Sequence, residues 1–149
     1  MKKNNSGFSL VELIIVIAIM AVLIGVLAPQ FIKYVEKSKE SKDISNLDSC
    51  VSVVQAYYAD KTWPGDITIT AAKGSPLAST QAQAALADAG ADKSTVRGTW
   101  TTDISATIKE DGTITYAGVA TYYKATTTGF EAIEASATGG AGSGSGSGS

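Results

Sequence analysis

The chain has no histidine, a single cysteine and only three prolines among its 149 residues. The absence of histidine removes the side chain most often used as a general base and as a metal ligand. The one cysteine, Cys50, cannot form an intramolecular disulfide or complete a four-ligand zinc site. The chain has 12 basic and 14 acidic residues, a formal charge of −2. Because phosphate binding needs clustered Lys and Arg, we expect no nucleic-acid partner.

Sequence motifs of catalysis and of nucleotide binding are also missing. The chain contains no G-x-S-x-G, no P-loop and no G-x-G-x-x-G. Asp88, Asp92 and Asp103 could join a calcium site, but their spacing is not that of an EF-hand. We therefore predict a protein that is not an enzyme, with no catalytic residue, no metal site and no cofactor.

One long hydrophobic run lies near the amino terminus. Leu13 to Ala28 is apolar throughout, and the run extends back to Phe8 with only Ser9 and Glu12 as interruptions. A helix of this length spans roughly 30 Å, which is the thickness of a bilayer's hydrocarbon core. The run could be a cleaved secretory signal, but no A-x-A cleavage site follows it. It could also be a simple membrane anchor, but this interpretation leaves Glu12 unexplained, because an acid inside a membrane span costs about 2.5–3.5 kcal/mol.

A third interpretation accounts for both the apolar run and Glu12. The heptapeptide Gly7-Phe8-Ser9-Leu10-Val11-Glu12-Leu13 follows a short basic leader, precedes the apolar run and resembles the amino terminus of type IV prepilins. The resemblance implies that a prepilin peptidase cuts between Gly7 and Phe8 and methylates the new terminal amine of Phe8. It also matches Glu12 to the glutamate four residues after the new amino terminus, and Pro29 to the proline that interrupts the helix in many members of the family.

Glu12 has a physical reason to seek a partner. A carboxylate among lipid tails needs a compensating charge, and the amine of Phe8 on a neighbouring subunit is the natural candidate. A protonated Glu12 that snorkels to the interface is the alternative. Further along, Pro29 lacks the N–H that would bond to Gly25, itself a poor helix former, so we expect the helix to loosen between these residues on polymerisation.

The charges that flank the run do not determine its orientation. Lys2 and Lys3 precede it, whereas Lys33, Lys37, Lys39 and Lys42 follow it. The resemblance implies a single-pass precursor in the cytoplasmic membrane with its amino terminus inside, and a filament on the cell surface after assembly. The implied partners are other copies of the chain, the membrane, the prepilin peptidase and the pilus assembly machinery.

The resemblance implies the bound of the leader, and composition and pattern indicate the other four of five segments. They are a leader (1–7), an apolar helix half (8–30), an amphipathic helix half (31–62), a globular head (63–138) and a flexible Gly/Ser tail (139–149). The tail resembles an expression linker, with a natural flexible terminus as the alternative. The helix is expected from Phe8 to Asp60, stopped by Trp63-Pro64-Gly65.

The second helix half combines a polar stretch with an apolar stripe. Residues 36–43 (EKSKESKD) contain no apolar side chain, which suggests an exposed neck between the membrane and the head. The spacing of the following apolar side chains predicts a face that the head covers: Ile44, Leu47, Val51, Val54 and Tyr58. Cys50, at the edge of that face, is expected to be a small buried or half-buried hydrophobe, with an intermolecular disulfide in the filament as the alternative.

The head is predicted to be α+β, with an antiparallel sheet. The strand candidates are Ile67–Thr70, Trp100–Lys109, Thr113–Ala117, Val119–Thr126 and Phe130–Ala135. A turn is expected at Asp111-Gly112, and a short helix at Ser79–Ala89. A chain with one cysteine cannot close a carboxy-terminal disulfide loop, and in this respect it resembles clostridial-type Gram-positive pilins.

These features together favour the major structural subunit of a type IV pilus. A pseudopilin of a type II secretion or competence system is the alternative within the same superfamily. A membrane-tethered extracellular binding module that never polymerises is the alternative of another class.

Overall fold

The computed structural model describes residues 8–133, and the leader and the Gly/Ser tail lie outside this range. Helix α1 (Leu10–Tyr57) has 48 residues, about 72 Å of continuous α-helix. It begins and ends within three residues of the predicted bounds. Pro29 lies inside it, and the helix remains α-helical on both sides of this residue.

The head contains five short strands and a short second helix. The strands are β1 (Ile67–Ala71), β2 (Ile104–Ile108), β3 (Ile114–Ala117), β4 (Tyr123–Thr126) and β5 (Gly129–Ala132). The helix α2 (Gln83–Asp88) and a single 3₁₀ turn (Ala91–Lys93) lie between β1 and β2. The α+β prediction is therefore confirmed.

Strands β1, β2 and β3 form an antiparallel sheet in that order, and β4 and β5 form a separate hairpin. Ile67 of β1 lies opposite Ile108 of β2, and Ile69 lies opposite Ala106. Because side chains alternate along a strand, this register places one apolar row on the face that packs against α1. The predicted turn at Asp111-Gly112 joins β2 to β3, with Gly112 at φ +83°.

The predicted apolar stripe of α1 forms the helical side of the core. Leu47 and Val54 are fully buried, and Val51 is nearly so. They pack in one cluster with buried residues of the sheet and of the β1–β2 connection, among them Ile67, Ile69, Leu77, Leu86, Ile104 and Ile108.

Several element bounds differ from the prediction. Strand β2 begins at Ile104 and not at Trp100, because Trp100 forms only an isolated bridge with Ala120. Helix α2 is shorter than Ser79–Ala89, because residues 80–82 form a turn in which the Ser79 hydroxyl accepts the Ala82 N–H at 3.2 Å. The strand expected from Val119 begins only at Tyr123, because Val119 and Ala120 form isolated bridges with Lys124 and Trp100.

Candidate functional site

The amino-terminal half of α1 is an uncovered apolar surface. Every side chain from Phe8 to Val35 is exposed, and α1 contains an 18-residue window of mean hydropathy 3.1 that is 0% buried. By length and composition, α1 is the only described helix able to cross a membrane. The segment from Leu10 to Val35 extends about 39 Å from the head. A soluble monomer rarely exposes an apolar surface of this size, so it marks a site of interaction.

Glu12 is the single charged residue between Phe8 and Ile32. Its carboxylate accepts the backbone N–H of Ser9 at 3.2 Å, which satisfies one of the free donors at the start of α1. Phe8 is 92% exposed and lies at the same end of the helix. The structure therefore brings Phe8 and Glu12 together at one end, and Gly7 lies outside the described residues.

Gly25 and Pro29 lie about 20 Å further along the same surface, judged from the helical rise between Glu12 and Gly25. A Cβ added at Gly25 would meet nothing within 4 Å, so this side of the helix is free to approach a neighbour. The helix is continuous here. The predicted loosening concerns the polymerised chain, and it stays a prediction.

The next part of α1 corrects the expected exposed neck. Glu40 is fully buried and Asp43 is 2% exposed. Together with Glu36 they form what we call the acidic clamp, three carboxylates on one helix face that bind the head. Glu36 accepts a hydrogen bond from the Thr99 hydroxyl and also pairs with Lys39 at 3.3 Å. The expectation that residues 36–43 are exposed was wrong for Glu40 and Asp43.

Asp43 is the most heavily bonded member of the clamp. It accepts the backbone N–H of Arg97 at 3.0 Å and that of Gly98 at 2.6 Å. Its Oδ2 also accepts the indole Nε1–H of Trp100 at 2.9 Å. A buried carboxylate that collects several N–H donors is well compensated for the loss of water. Asp43 thereby attaches α1 to the loop that precedes β2.

Glu40 attaches α1 to the loop that precedes β4. Its two carboxylate oxygens accept the backbone N–H groups of Thr121 at 3.2 Å and of Tyr122 at 2.8 Å. Burial raises the pKa of Glu40 above its ordinary value of 4.5, and the nearby acids Glu36 and Asp43 raise it further, against the two backbone donors. In contrast, the Thr99 hydrogen bond lowers the pKa of Glu36.

The helix approaches the head backbone closely at Gly98. A Cβ at this position would lie 2.7 Å from Cγ of Glu40 and 2.9 Å from Oδ2 of Asp43. Any side chain at position 98 would displace the two carboxylates from their N–H donors. Gly98 is therefore the position in the head that leaves room for the acidic clamp, and the sequence reasoning missed it.

A signal for the clamp is present in the sequence. Glu36, Glu40 and Asp43 are spaced by four and three residues, and the same alternation continues through Leu47, Cys50 and Val54. The acidic residues thus lie on the helix face that the core covers. The prediction of an exposed neck relied on the charge of these residues and not on their spacing.

Cys50 is buried, as predicted. It is 1% exposed, and its Sγ lies 4.0 Å from the carbonyl oxygen of Ala91. Burial raises the pKa of the thiol to about 11, so the reactive thiolate is scarce at neutral pH. Among the side chains that the structure describes, which leave out that of Asp92, no group of three or more from His, Cys, Asp or Glu is placed to hold a metal ion.

Comparison with known proteins finds similar sequences for the amino-terminal part of the chain. A family model described as "Prokaryotic N-terminal methylation motif" matches residues 2–28. The type IV major pilin protein PilA of Myxococcus xanthus is 37% identical over 58 residues, which are 39% of this chain and 26% of that protein. Fimbrial protein EcpC of Eikenella corrodens is 37% identical over 67 residues, 44% of each chain. A fimbrial protein of Neisseria meningitidis is 36% identical over 69 residues, 46% of this chain and 41% of that protein.

The matches span less than half the length of each of these relatives. No solved structure matches the chain significantly. The resemblance to clostridial-type pilins is not tested by these proteins and stays a prediction. The methylation motif and the matched stretch make the amino-terminal part of the chain similar to that of type IV pilin and fimbrial proteins, and an exposed apolar helix and an α+β head follow from it.

Proposed function

We propose that the chain is the major structural subunit of a type IV pilus. It polymerises through the amino-terminal half of α1 into a helical surface filament that serves adhesion, motility or related surface functions. The observation that carries the proposal is the uncovered apolar surface from Phe8 to Val35, which contains the single charge Glu12. A lipid bilayer can cover this surface first, and the same surface of neighbouring subunits can cover it afterwards.

Processing precedes assembly in this proposal. The precursor crosses the cytoplasmic membrane once, with its amino terminus inside. A prepilin peptidase removes residues 1–7 by cutting between Gly7 and Phe8, and the new amine of Phe8 is methylated. The assembly machinery then withdraws the subunit from the membrane. The chain itself has a structural role and catalyses none of these steps.

Glu12 supplies a reason for the subunit to leave the membrane. An acid inside the span costs about 2.5–3.5 kcal/mol, and its position in the first turn of the helix returns only about 0.3–1 kcal/mol. Among the described residues, the carboxylate's hydrogen-bond partner is the neutral Ser9 N–H at 3.2 Å, and none is a counter-ion. The cationic amine of Phe8 on an adjacent subunit would supply one.

The same pair would set the axial register of the filament. Between Leu13 and Ile32 the chain presents no charged side chain, so apolar contact alone would let neighbouring helices slide past one another. One buried ion pair per subunit contact would favour a single displacement along the axis. The mature terminus at Phe8 is needed for this pairing, which links leader cleavage to assembly.

The test is a shearing assay with an immunoblot of the membrane fraction beside it. We expect Glu12→Leu to insert into the membrane, to lose its leader, and to accumulate there with few or no sheared filaments. Glu12→Gln, which keeps the shape and loses the charge, should share the defect in part. Val11→Leu is the matched control, since it alters the neighbouring residue without altering charge, and it should assemble normally.

Three outcomes would contradict the proposal. A wild-type yield of sheared filaments from Glu12→Leu would show that the carboxylate is dispensable. Sheared filaments in which the chain is only a minor component would favour the pseudopilin, and an absence of any filament would favour the tethered binding module.

A further inference from the structure

The exposed charge of α1 just beyond the apolar half is positive, although the sequence there is nearly balanced. Residues 33–43 contain four lysines and three acids. Two of the acids, Glu40 and Asp43, are buried against backbone N–H donors, and the third, Glu36, is held by Thr99 and Lys39. What solvent meets is therefore a set of exposed lysines: Lys33, Lys37, Lys39 and Lys42.

Two of these lysines line a recess between α1 and the β4–β5 hairpin. Lys33 and Lys37 lie on the helical side with Gln30 and Tyr34, and the hairpin side is formed by Tyr122, Ala132 and Ile133. Neither lysine makes an ion pair with any of the described residues. Aromatic, aliphatic and basic side chains together are typical of surfaces at the membrane interface, where each keeps its polar end in the headgroup layer.

The depth of the recess matches the headgroup layer. The 23 residues from Leu10 to Ile32, which include Glu12, form about 35 Å of helix, and with a tilt this length crosses a hydrocarbon core of about 30 Å. Lys33 follows directly, and Lys37 lies about 6 Å further along the axis. The polar layer on each side of a bilayer is about 5–7 Å thick. Both lysines and the hairpin wall opposite them therefore lie at the level of the lipid phosphates.

We propose that this recess binds the headgroup of an anionic phospholipid on the outer side of the cytoplasmic membrane before assembly, so that the base of the β4–β5 hairpin rests on the bilayer. The inference rests on the proposed function, because it requires α1 to be inserted. The phosphate would sit between the ammonium groups of Lys33 and Lys37, with Ile133 facing the acyl boundary. The contact would hold the head at a defined depth until the assembly machinery withdraws the subunit.

The strength expected of such a contact is sufficient for this role. Each lysine near an anionic surface favours the bound state by about fivefold, so two lysines favour it by about 25-fold at ordinary salt. The contribution is lost in high salt and in a neutral membrane. It is also reversible, as required of a subunit that later enters a filament.

The experiment uses the full chain, carrying Cys50→Ala and a spin label on Ala132→Cys, in vesicles. One set is phosphatidylcholine alone and the other contains phosphatidylglycerol as well. We expect collisions of a neutral nickel chelate with the label to be about twofold or more less frequent in the phosphatidylglycerol vesicles. Lys33→Gln with Lys37→Gln should abolish the difference. Lys61→Gln with Lys109→Gln, which removes equal charge elsewhere on the head surface, should retain it.

A second label on Ala21→Cys separates this inference from the proposed function. It should report hydrocarbon depth in both membranes, and a label that reports water there would overturn membrane insertion itself. With Ala21 inserted, equal collision rates at position 132 in both membranes would overturn only the headgroup site. If the label at position 132 is protected from the nickel chelate in both membranes, and deletion of residues 134–149 removes this protection, the occupant of the recess is the chain's own carboxy terminus and not a lipid. Protection that appears only in filaments would assign it to a neighbouring subunit.

Discussion

The indole Nε1–H of Trp100 donates to Oδ2 of Asp43 at 2.9 Å, across 57 residues of chain. Both side chains are buried. The bond connects the long helix to the loop before β2, and it lies beside the two backbone donors that the same carboxylate accepts. Asp43 thus determines how the head is seated on the helix, a role that a charged residue in a polar stretch did not suggest.

Asp43→Asn should lower the free energy of unfolding of the head by about 3 kcal/mol, because the amide offers one oxygen where the carboxylate offered two and turns an N–H₂ toward the donors. The control is Asp60→Asn at an exposed turn, which should change stability by no more than about 0.5 kcal/mol. Equilibrium unfolding of the full chain in detergent, followed by tryptophan fluorescence, measures both. Equal stabilities of the two variants would contradict the role assigned to Asp43.

Gly98→Ala should destabilise the head by about 1–3 kcal/mol, which is typical of overpacking. The new Cβ would lie 2.9 Å from Cα of Glu40, a backbone atom that cannot move without the helix. Gly25→Ala is the matched control, because its Cβ meets nothing within 4 Å. The same unfolding measurement applies, and a Gly98→Ala chain as stable as the Gly25→Ala chain would refute the close approach.

Two residues of the acidic clamp, Glu36 and Glu40, should change stability with pH in opposite directions. The pKa of Glu40 is raised in the folded head, so its contribution is complete below about pH 4.5 and is lost as the pH rises through the folded-state value. The pKa of Glu36 is lowered, so its contribution is present above its ordinary pKa and is lost as the pH falls.

Substitution by glutamine reveals each contribution as a difference from the wild-type chain. From about pH 4 to about pH 7, the unfolding free energy of Glu40→Gln should rise relative to the wild type, whereas that of Glu36→Gln should fall. The test uses only the slope of this difference in unfolding free energy against pH, because a constant cost of the amide side chain does not change the slope. Parallel slopes for the two variants would show that the pKa directions are wrong.

Gly7→Val should leave the leader attached, because the added side chain should not fit a peptidase pocket shaped for glycine. Intact-mass spectrometry of the membrane fraction would then find a precursor that retains Lys2 and Lys3. Asn5→Val, two residues earlier in the leader, is the control and should be cleaved. Normal removal of residues 1–7 from the Gly7→Val chain would remove the basis for the cleavage site.

The helix should loosen between Gly25 and Pro29 in the filament, although it is continuous in the single subunit. Pro29 cannot bond to the carbonyl of Gly25, and lipid favours an intact helix more strongly than packed neighbours do. A filament map should show extended backbone here in the wild type and regular helix in Pro29→Ala. A straight helix through both residues in the wild-type filament would refute the prediction.

Periodicity predicted the elements whose pattern is local. The stripe through Leu47, Val51 and Val54 identified the buried helix face, and the alternation of Ile104, Ala106 and Ile108 identified strand β2. These patterns are readable because one face of a helix or a strand must be apolar wherever a core covers it. Bounds were less accurate, as at α2, where a turn of three residues replaced the first part of the predicted helix.

The sequence by itself determined the motif around Gly7, Phe8 and Glu12, the apolar span and the order of helix and strands, because each depends on neighbours along the chain. The spacing of Glu40 and Asp43 places them on the covered face of the helix, but only the tertiary structure decided that these charges are buried with partners and that the exposed charge beyond the span is positive. The N–H donors that make this burial possible come from Arg97, Gly98, Trp100, Thr121 and Tyr122. They reach the helix across 54 to 82 residues of chain, a separation that no local pattern of charge or hydrophobicity encodes.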